Sequence, residues 1–483
     1  MESPKIDSWS ALRDPHWQLT IVFLIVLVSR LPFLDAGYGV NVDAWRVALT
    51  AREIAVTGDY SVSRFPGYPI QEIVCSWFWR GGPFALNALS AIFSAIAATA
   101  FAAIARKLHG RDAFLAALAF AATPILFISS VSSKDYVWAI AFILLAILSA
   151  LHQRAVLAGM FLGLATGCRI TSLSTLLPIA FILFSKSERP HRIASVAKFT
   201  AVSIVTAAIA FSPVWLCYGT AFWRFYEHAR PDWLTIASRS TVELWGTLGL
   251  IGVVLAASTI IARRWIGRSA DDGTLKPKAQ NSIAARLELS SPTGLIDPPS
   301  SQNKWMVGAL LLWLAITVAV YLRLPDQAGY LLPAVPAVIL LAQQRAPRRA
   351  FQFACACLIL SPFVDIGPKG VQAGPIFADR AERVYTLDQV KHFLSYAETL
   401  PGQNTIVVGA WEPIIATVTP NIEKGRNNYV YLLDENGLAT VLARHEPIFY
   451  APRMREFNQR IYGIDLAKYG GIDLRDFYLQ SHR

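Results

Sequence analysis

Residues 40–69, VNVDAWRVALTAREIAVTGDYSVSRFPGYP, are the stretch around which the rest of the chain is read. The segment is polar and rich in turn residues. It carries Asp43, Arg46, Arg52, Glu53, Asp59 and Arg64, and it follows directly on the first long apolar run, residues 19–34. Ionisable side chains held against an apolar body are costly and are kept where they act, so chemistry is expected here. From Asp43 to Thr57, the residues Ala44, Val47, Ala48, Ala51, Ile54 and Ala55 recur at helical spacing. This predicts a helix lying along a membrane face, stopped by Gly58. Phe65-Pro66-Gly67-Tyr68-Pro69 then demands an extended, turn-rich path. Residues 70–80 predict a second interfacial helix, with Trp77 and Trp79 suited to the headgroup level.

The surrounding chain is built for lipid. Of 483 residues, 54% are hydrophobic and only 16% charged, and the mean hydropathy is +0.41. A soluble domain carries roughly 25% charged residues. Apolar runs at 19–34, 84–104, 113–130, 136–151, 199–216, 242–262, 305–322, 330–341 and 350–364 read as spans. The run 155–184 is too long for one ordinary span and is interrupted at Gly167-Cys168-Arg169, so it reads as a short pair. The fold class is therefore mainly α, a polytopic membrane protein with about eleven transmembrane helices.

Charge supports this threading. The net charge of +11 is explained by Lys/Arg clusters at 106–111, 186–198, 263–268 and 345–349. With this threading all four clusters fall on one side, as cytoplasmic loops require, and Lys5 and Arg13 place the N-terminus there as well. No basic block stands apart from the membrane segments, so nucleic acid is not expected as a partner. Residues 1–366 form the expected membrane domain, with 40–82 as its first outer loop. Residues 267–303, poor in aromatics and rich in Ser, Pro and charge, read as a disordered cytoplasmic linker. From 367 to 483 the apolar runs shorten to strand length (405–408, 429–433, 447–450) and alternate with helical patterns at 386–400, 435–443 and 454–462. That alternation predicts a small extramembrane α/β domain. It falls on the outer side, or forms a cytoplasmic tail if one span is miscounted.

Several ionisable residues stand out, each with two readings. Arg169 lies between two apolar half-runs; it is a snorkelling helix cap or a phosphate clamp, since guanidinium binds phosphate oxygens bidentately. Asp135, in the corner Ser132-Ser133-Lys134-Asp135, is either the N-cap of the following helix or a site acid. Asp43 also opens a helix, but a carboxylate among Arg46, Arg52 and Arg64 keeps its charge, which suits a general base. Cys75, Cys168, Cys217, Cys355 and Cys357 have no metal spacing with His support. P-loop, HExxH, GxSxG and GxGxxG motifs are absent, which argues against an ATP-driven pump, a zinc protease and a Rossmann-type nucleotide-sugar enzyme.

Taken together, these motifs resemble the GT-C glycosyltransferases, nearest to the protein-O-mannosyltransferase and aminoarabinose-transferase-like members. The resemblance rests on Asp43 in a first outer loop, on Gly58-Asp59-Tyr60 and Ser63-Arg64-Phe65-Pro66-Gly67-Tyr68-Pro69, and on Ser133-Lys134-Asp135. The stretches 163–169 and 328–336, AGYLLPAVP, fit as well. Two positions depart from the pattern: Ala44 follows Asp43 where many relatives carry a second polar residue, and Gly329 stands where relatives often have Arg. The resemblance covers roughly residues 19–366 and leaves the C-terminal domain unexplained.

The resemblance implies an inverting transfer of a sugar from a polyprenyl-phosphate donor to a glycan, lipid or protein acceptor, on the outer face of the cytoplasmic membrane. Asp43 would be the base and Asp135 the second catalytic acid, orienting the acceptor or a cation. Arg169, Arg64, Gln327 and Tyr330 would hold the donor phosphate, and Arg46, Pro66, Gly67 and Tyr68 would shape the entrance. Some relatives use a divalent cation, and no ligand cluster in this sequence demands one. The rival readings are a transporter or lipid flippase that makes no bond, and a membrane scaffold.

Overall fold

The computed structural model describes residues 15–109, 112–223, 231–271, 301–367, 370–419, 425–431 and 435–451, with scattered positions from 454 to 474. Most of the expected linker (272–300) and part of the expected helix 454–462 lie outside the described residues. At its ends the linker reading needs correcting, because helix continues to Asp271 and resumes at Ser301.

The protein is mainly helical. Helix α1 (Pro15–Arg30) leads into α2 (Val42–Thr57), which is the helix expected from the alternation around Asp43. Its inner face buries Ala44, Val47, Ala48 and Ala51, while Ile54 is only half-buried and Ala55 is exposed, so the apolar stripe is shorter than the sequence suggests. Gly58 ends it with φ 79°, a left-handed cap that glycine adopts without steric cost. Next come α3 (Pro69–Phe78) and α4 (Gly82–His109), then α5 (Ala113–Ala122) and α6 (Pro124–Ser130). The expected span 113–130 is thus two helices, bent by 67° at Pro124, whose ring nitrogen cannot continue the ladder. Arg30 braces this break: Nη2 donates to the Ala121 carbonyl at 2.5 Å, Nε donates to Ser130 Oγ at 3.0 Å, and the guanidinium lies 3.9 Å from the Phe127 ring centre.

Helices α7 (Tyr136–Leu151) and α8 (Ala155–Cys168) form the heart of the bundle. As expected, the run 155–184 breaks at Arg169; it restarts as a 3-10 turn (Ile170–Thr175) and α9 (Leu176–Lys186). Helix α8 lies against α10 (Arg192–Tyr218) along Gly159, Gly163 and Gly167. A Cβ on Gly159 would meet the Phe199 carbonyl oxygen at 2.8 Å, and one on Gly167 would meet Ala210 Cβ at 2.7 Å. Small residues at every fourth position let two helix backbones approach, as in membrane helix pairs. A short helix, α11 (Trp233–Ser240), precedes α12 (Val242–Asp271), which is kinked at Gly246 (φ 68°). Helices α13 (Ser301–Arg323), α14 (Ala334–Arg345) and α15 (Arg348–Leu360) complete the bundle.

Among the described residues four helices are long and apolar enough to cross a membrane alone, or five if the bent pair counts as one span. Shorter apolar helices occupy four of the other expected positions.

After α15 a hairpin of β1 (Val364–Gly367) and β2 (Gly370–Ala373), unforeseen in the sequence, leads to α16 (Pro375–Ala397). A four-stranded parallel sheet follows, with order β4-β3-β5-β6: β3 is Asn404–Val407, β4 Asn427–Val430, β5 Ile448–Tyr450 and β6 Ile472–Asp473. Helices α17 (Glu412–Val418) and α18 (Glu435–Ala443) cross between strands, as the α/β alternation predicts. Helix α17 packs directly on α2.

Candidate active site

The site is assembled where α2, the loop 58–68, the corner before α7, the break after α8 and the turn before α14 meet. Asn41 caps α2: its Oδ1 accepts from Asp43 N at 2.9 Å. The capping role is therefore filled one step earlier, and the Asp43 carboxylate points elsewhere. Asp43 Oδ2 lies 3.5 Å from Arg64 Nε and accepts from Gln327 Nε2 at 3.3 Å. Arg64 Nη2 donates to Asp135 Oδ1 at 2.8 Å, and Arg169 Nη1 pairs with Asp135 Oδ2. Asp135 makes no side-chain cap to α7, so both of its oxygens serve the two guanidiniums. The Arg169 guanidinium sits between two rings, 4.2 Å from Tyr136 and 4.3 Å from Tyr330. Tyr136 Oη donates to Gln327 Oε1 at 2.8 Å, which closes a ring of contacts back to Asp43.

The electrostatics follow from this ring. Burial, the largest influence on Asp43, pushes its carboxyl up, but Arg64, Lys134, the Gln327 hydrogen bond and Arg46 together hold it below the usual carboxylate range. Burial opposes the Arg64 charge too, yet Tyr68, Asp43 and Asp135 keep it firmly cationic. Lys134 is different: burial brings its ammonium down to about 8, despite the pull of Asp43 and Asp135. Arg64 Nη1 is buried and has no hydrogen-bond partner among the described residues.

The loop carrying Arg64 is held by Glu72, a residue the sequence reading passed over. Glu72 is completely buried on α3. Its Oε1 accepts from Ser63 N at 2.8 Å and Ser63 Oγ at 2.6 Å, and its Oε2 accepts from Tyr60 Oη at 2.5 Å and Tyr68 N at 3.0 Å. Both ends of the turn 63–68 are thereby pinned. Within the turn the Phe65–Pro66 bond is cis and Gly67 has φ 96°. Tyr68 lies under Arg64, with its ring centre 4.1 Å from the guanidinium carbon. Gly329 allows a close pass: a Cβ there would meet Tyr136 ring carbons at 2.7–3.0 Å.

Below this cluster a cavity of roughly 440 Å³, its opening included, runs between the helices. Arg169, Tyr136, Tyr330, Ser172 and Thr317 give it a polar rim, and Ile140, Ile143, Val320 and Leu332 an apolar wall. Among the described residues no three His, Cys, Asp or Glu side chains converge as metal ligands would. Both oxygens of Asp135 are engaged by guanidiniums, so these acids do not make a divalent-cation site.

Of the residues singled out from sequence, Asp43, Arg64, Asp135, Arg169, Gln327 and Tyr330 come together, with Tyr68 beneath Arg64. Gln327 contacts Asp43 and Tyr136. Arg46 turns away from the ring, toward Tyr431. Tyr136 was missed because an aromatic residue opening an apolar helix gives no signal of its own. Glu72 was missed because an acid at the start of a helix reads as ordinary first-turn charge.

Comparison with known proteins gives three findings. The model of a family described as GPI transamidase subunit PIG-U matches residues 70–240. No match is found among curated proteins. Among solved structures the chain is similar to ArnT from Cupriavidus metallidurans in the apo state, at 15% identity over 96% of this chain and 94% of that one, with a TM-score of 0.48. It is similar as well to the same protein bound to undecaprenyl phosphate, at 15% identity over 96% and 91% of the two chains, with a TM-score of 0.43.

Proposed function

We propose that this protein is a multi-pass membrane glycosyltransferase of GT-C type. It moves a sugar from a polyprenyl-phosphate donor to an acceptor hydroxyl at the outer face of the cytoplasmic membrane, with inversion. Asp43 is the general base: as the acceptor oxygen bonds to the anomeric carbon, its proton passes to the Asp43 carboxylate. The anomeric carbon–oxygen bond to phosphate breaks, and its electron pair leaves with the phosphate. Negative charge develops there, within reach of the spare donors of Arg169 and of the unpartnered Arg64 Nη1, which stabilise it. Asp135 holds the two guanidiniums in register, and Tyr330 and Tyr136 fix the plane of Arg169. The lipid chain occupies the cavity below.

One observation carries this reading: a carboxylate kept ionised and a buried guanidinium with an unused donor share one pocket at the mouth of a lipid-facing cavity. A flippase needs no such base. The test is transfer from a polyprenyl-phosphate sugar by purified protein. Asp43→Asn is expected to lose about 10²–10⁴-fold in rate while still binding the lipid phosphate. Normal transfer by that variant overturns the proposal.

A further inference from the structure

The acceptor side of this site is not accounted for by the membrane helices. Resting on the inverting transfer proposed above, the geometry can be taken one step further. In-line displacement sets the acceptor oxygen on the side of the anomeric carbon away from the leaving phosphate. The phosphate side is marked by Arg169 and the cavity beneath it. The other direction from Asp43 leads along α2 to Arg46, three residues on and on the same helix face.

There the C-terminal domain meets the helix. The Arg46 guanidinium lies 5.5 Å from the Tyr431 ring centre, and its charge acts on Glu412. Both residues come directly from the carboxyl edge of the parallel sheet. Tyr431 follows β4, and Glu412 opens α17, four residues after the β3 barrel-side edge ends at Val408. Open parallel sheets take their ligands beyond the carboxyl ends of their strands, and here that edge is turned toward the base. Arg46, Glu412, Trp411 and Tyr431 are each half-buried, neither sealed in the seam nor free in solvent. No hydrogen bond to a described residue holds the Arg46 guanidinium.

We infer that Arg46 and Tyr431, with Glu412 beside them, form the acceptor subsite, and that the acceptor it takes is a carbohydrate. A planar guanidinium and a carboxylate hydrogen-bond neighbouring hydroxyls, and an aromatic ring covers the apolar face of a pyranose. The C-terminal domain is then the part of the chain that selects the acceptor, and the membrane domain the part that binds the donor.

The experiment measures binding to the full-length protein in nanodiscs, by saturation-transfer NMR, of lactose, maltose and cellobiose, with a serine-containing peptide as the contrasting probe. At least one disaccharide is expected to bind. Its affinity should fall about tenfold or more in Arg46→Ala and in Tyr431→Ala, with affinity for undecaprenyl phosphate unchanged. Arg46→Lys, which keeps the charge but not the planar fork, should restore part of the loss. Binding of the peptide alone, of neither probe, or of disaccharide equally by wild type and variants overturns the inference. So does a loss of lipid-phosphate affinity in the Arg46 and Tyr431 variants. These outcomes are separate from the Asp43→Asn transfer assay, so the acceptor claim can fail while the transferase reading stands.

Discussion

At the residue scale, Asp43 and Asp135 are balanced by Arg64 and Arg169, and the excess positive charge comes from Lys134. Burial lowers that ammonium to about 8, so it is protonated below this pH and neutral above it. A phosphodiester donor is therefore expected to bind more weakly as pH rises through about 8. Lys134→Arg, whose guanidinium stays charged, should remove this alkaline limb, and Lys134→Met should bind weakly throughout; lipid-phosphate titrations across pH check both. Asp43 sits on the other side of the scale. Its carboxyl is held low by Arg64, Lys134, Gln327 and Arg46 against the effect of burial, so no acid limb in rate should occur near pH 5–6.

Elements set where these residues stand. Glu72 on α3 ties both ends of the Arg64 turn. In Glu72→Gln the amide nitrogen cannot accept the bonds that one oxygen took. A loss of about 1–3 kcal/mol in stability is expected, together with weaker donor binding, seen in thermal unfolding and lipid-phosphate titration. Gly329 works by absence: its missing Cβ leaves room for the Tyr136 ring. Gly329→Ala should displace Tyr136 from Gln327 and Arg169 and cost on the order of 10²-fold in kcat/KM, with a smaller change in melting temperature. An equal loss of folded protein would instead make this glycine a packing residue.

At the scale of the molecule, the C-terminal domain is joined to the catalytic corner. Arg383 of α16 is almost fully buried, pairs with Asp379, and donates from Nη1 to the Val131 carbonyl at 2.6 Å, just before Lys134 and Asp135. Beside it, Ile376 and Phe377 pack on Phe33, Phe127 and Phe363 at the end of the helix bundle. Arg383→Ala leaves a buried carboxylate without its cation, which costs about 3–5 kcal/mol. The whole chain should melt earlier, and transfer should fall even at temperatures where it stays folded. An unchanged transfer rate in folded Arg383→Ala protein would separate the two domains functionally.

Much of this was legible in the order of residues. Apolar length marks membrane-type helices because hydrocarbon admits only backbone that satisfies its own hydrogen bonds. Period and punctuation marked α2 and its Gly58 stop, the break at Arg169, and the α/β alternation after residue 404. These are local properties, set by side-chain spacing and backbone torsions. What only the tertiary structure decided is pairing. That Asp43, Arg64, Asp135, Arg169 and Gln327 form one ring, that Glu72 pins the turn between them, and that Tyr431 reaches Arg46 depends on contacts spanning up to several hundred residues. A charge in a sequence carries no address for its partner; burial supplies one, because a charged group removed from water is tolerated only where an opposite charge or a hydrogen bond has been brought to meet it.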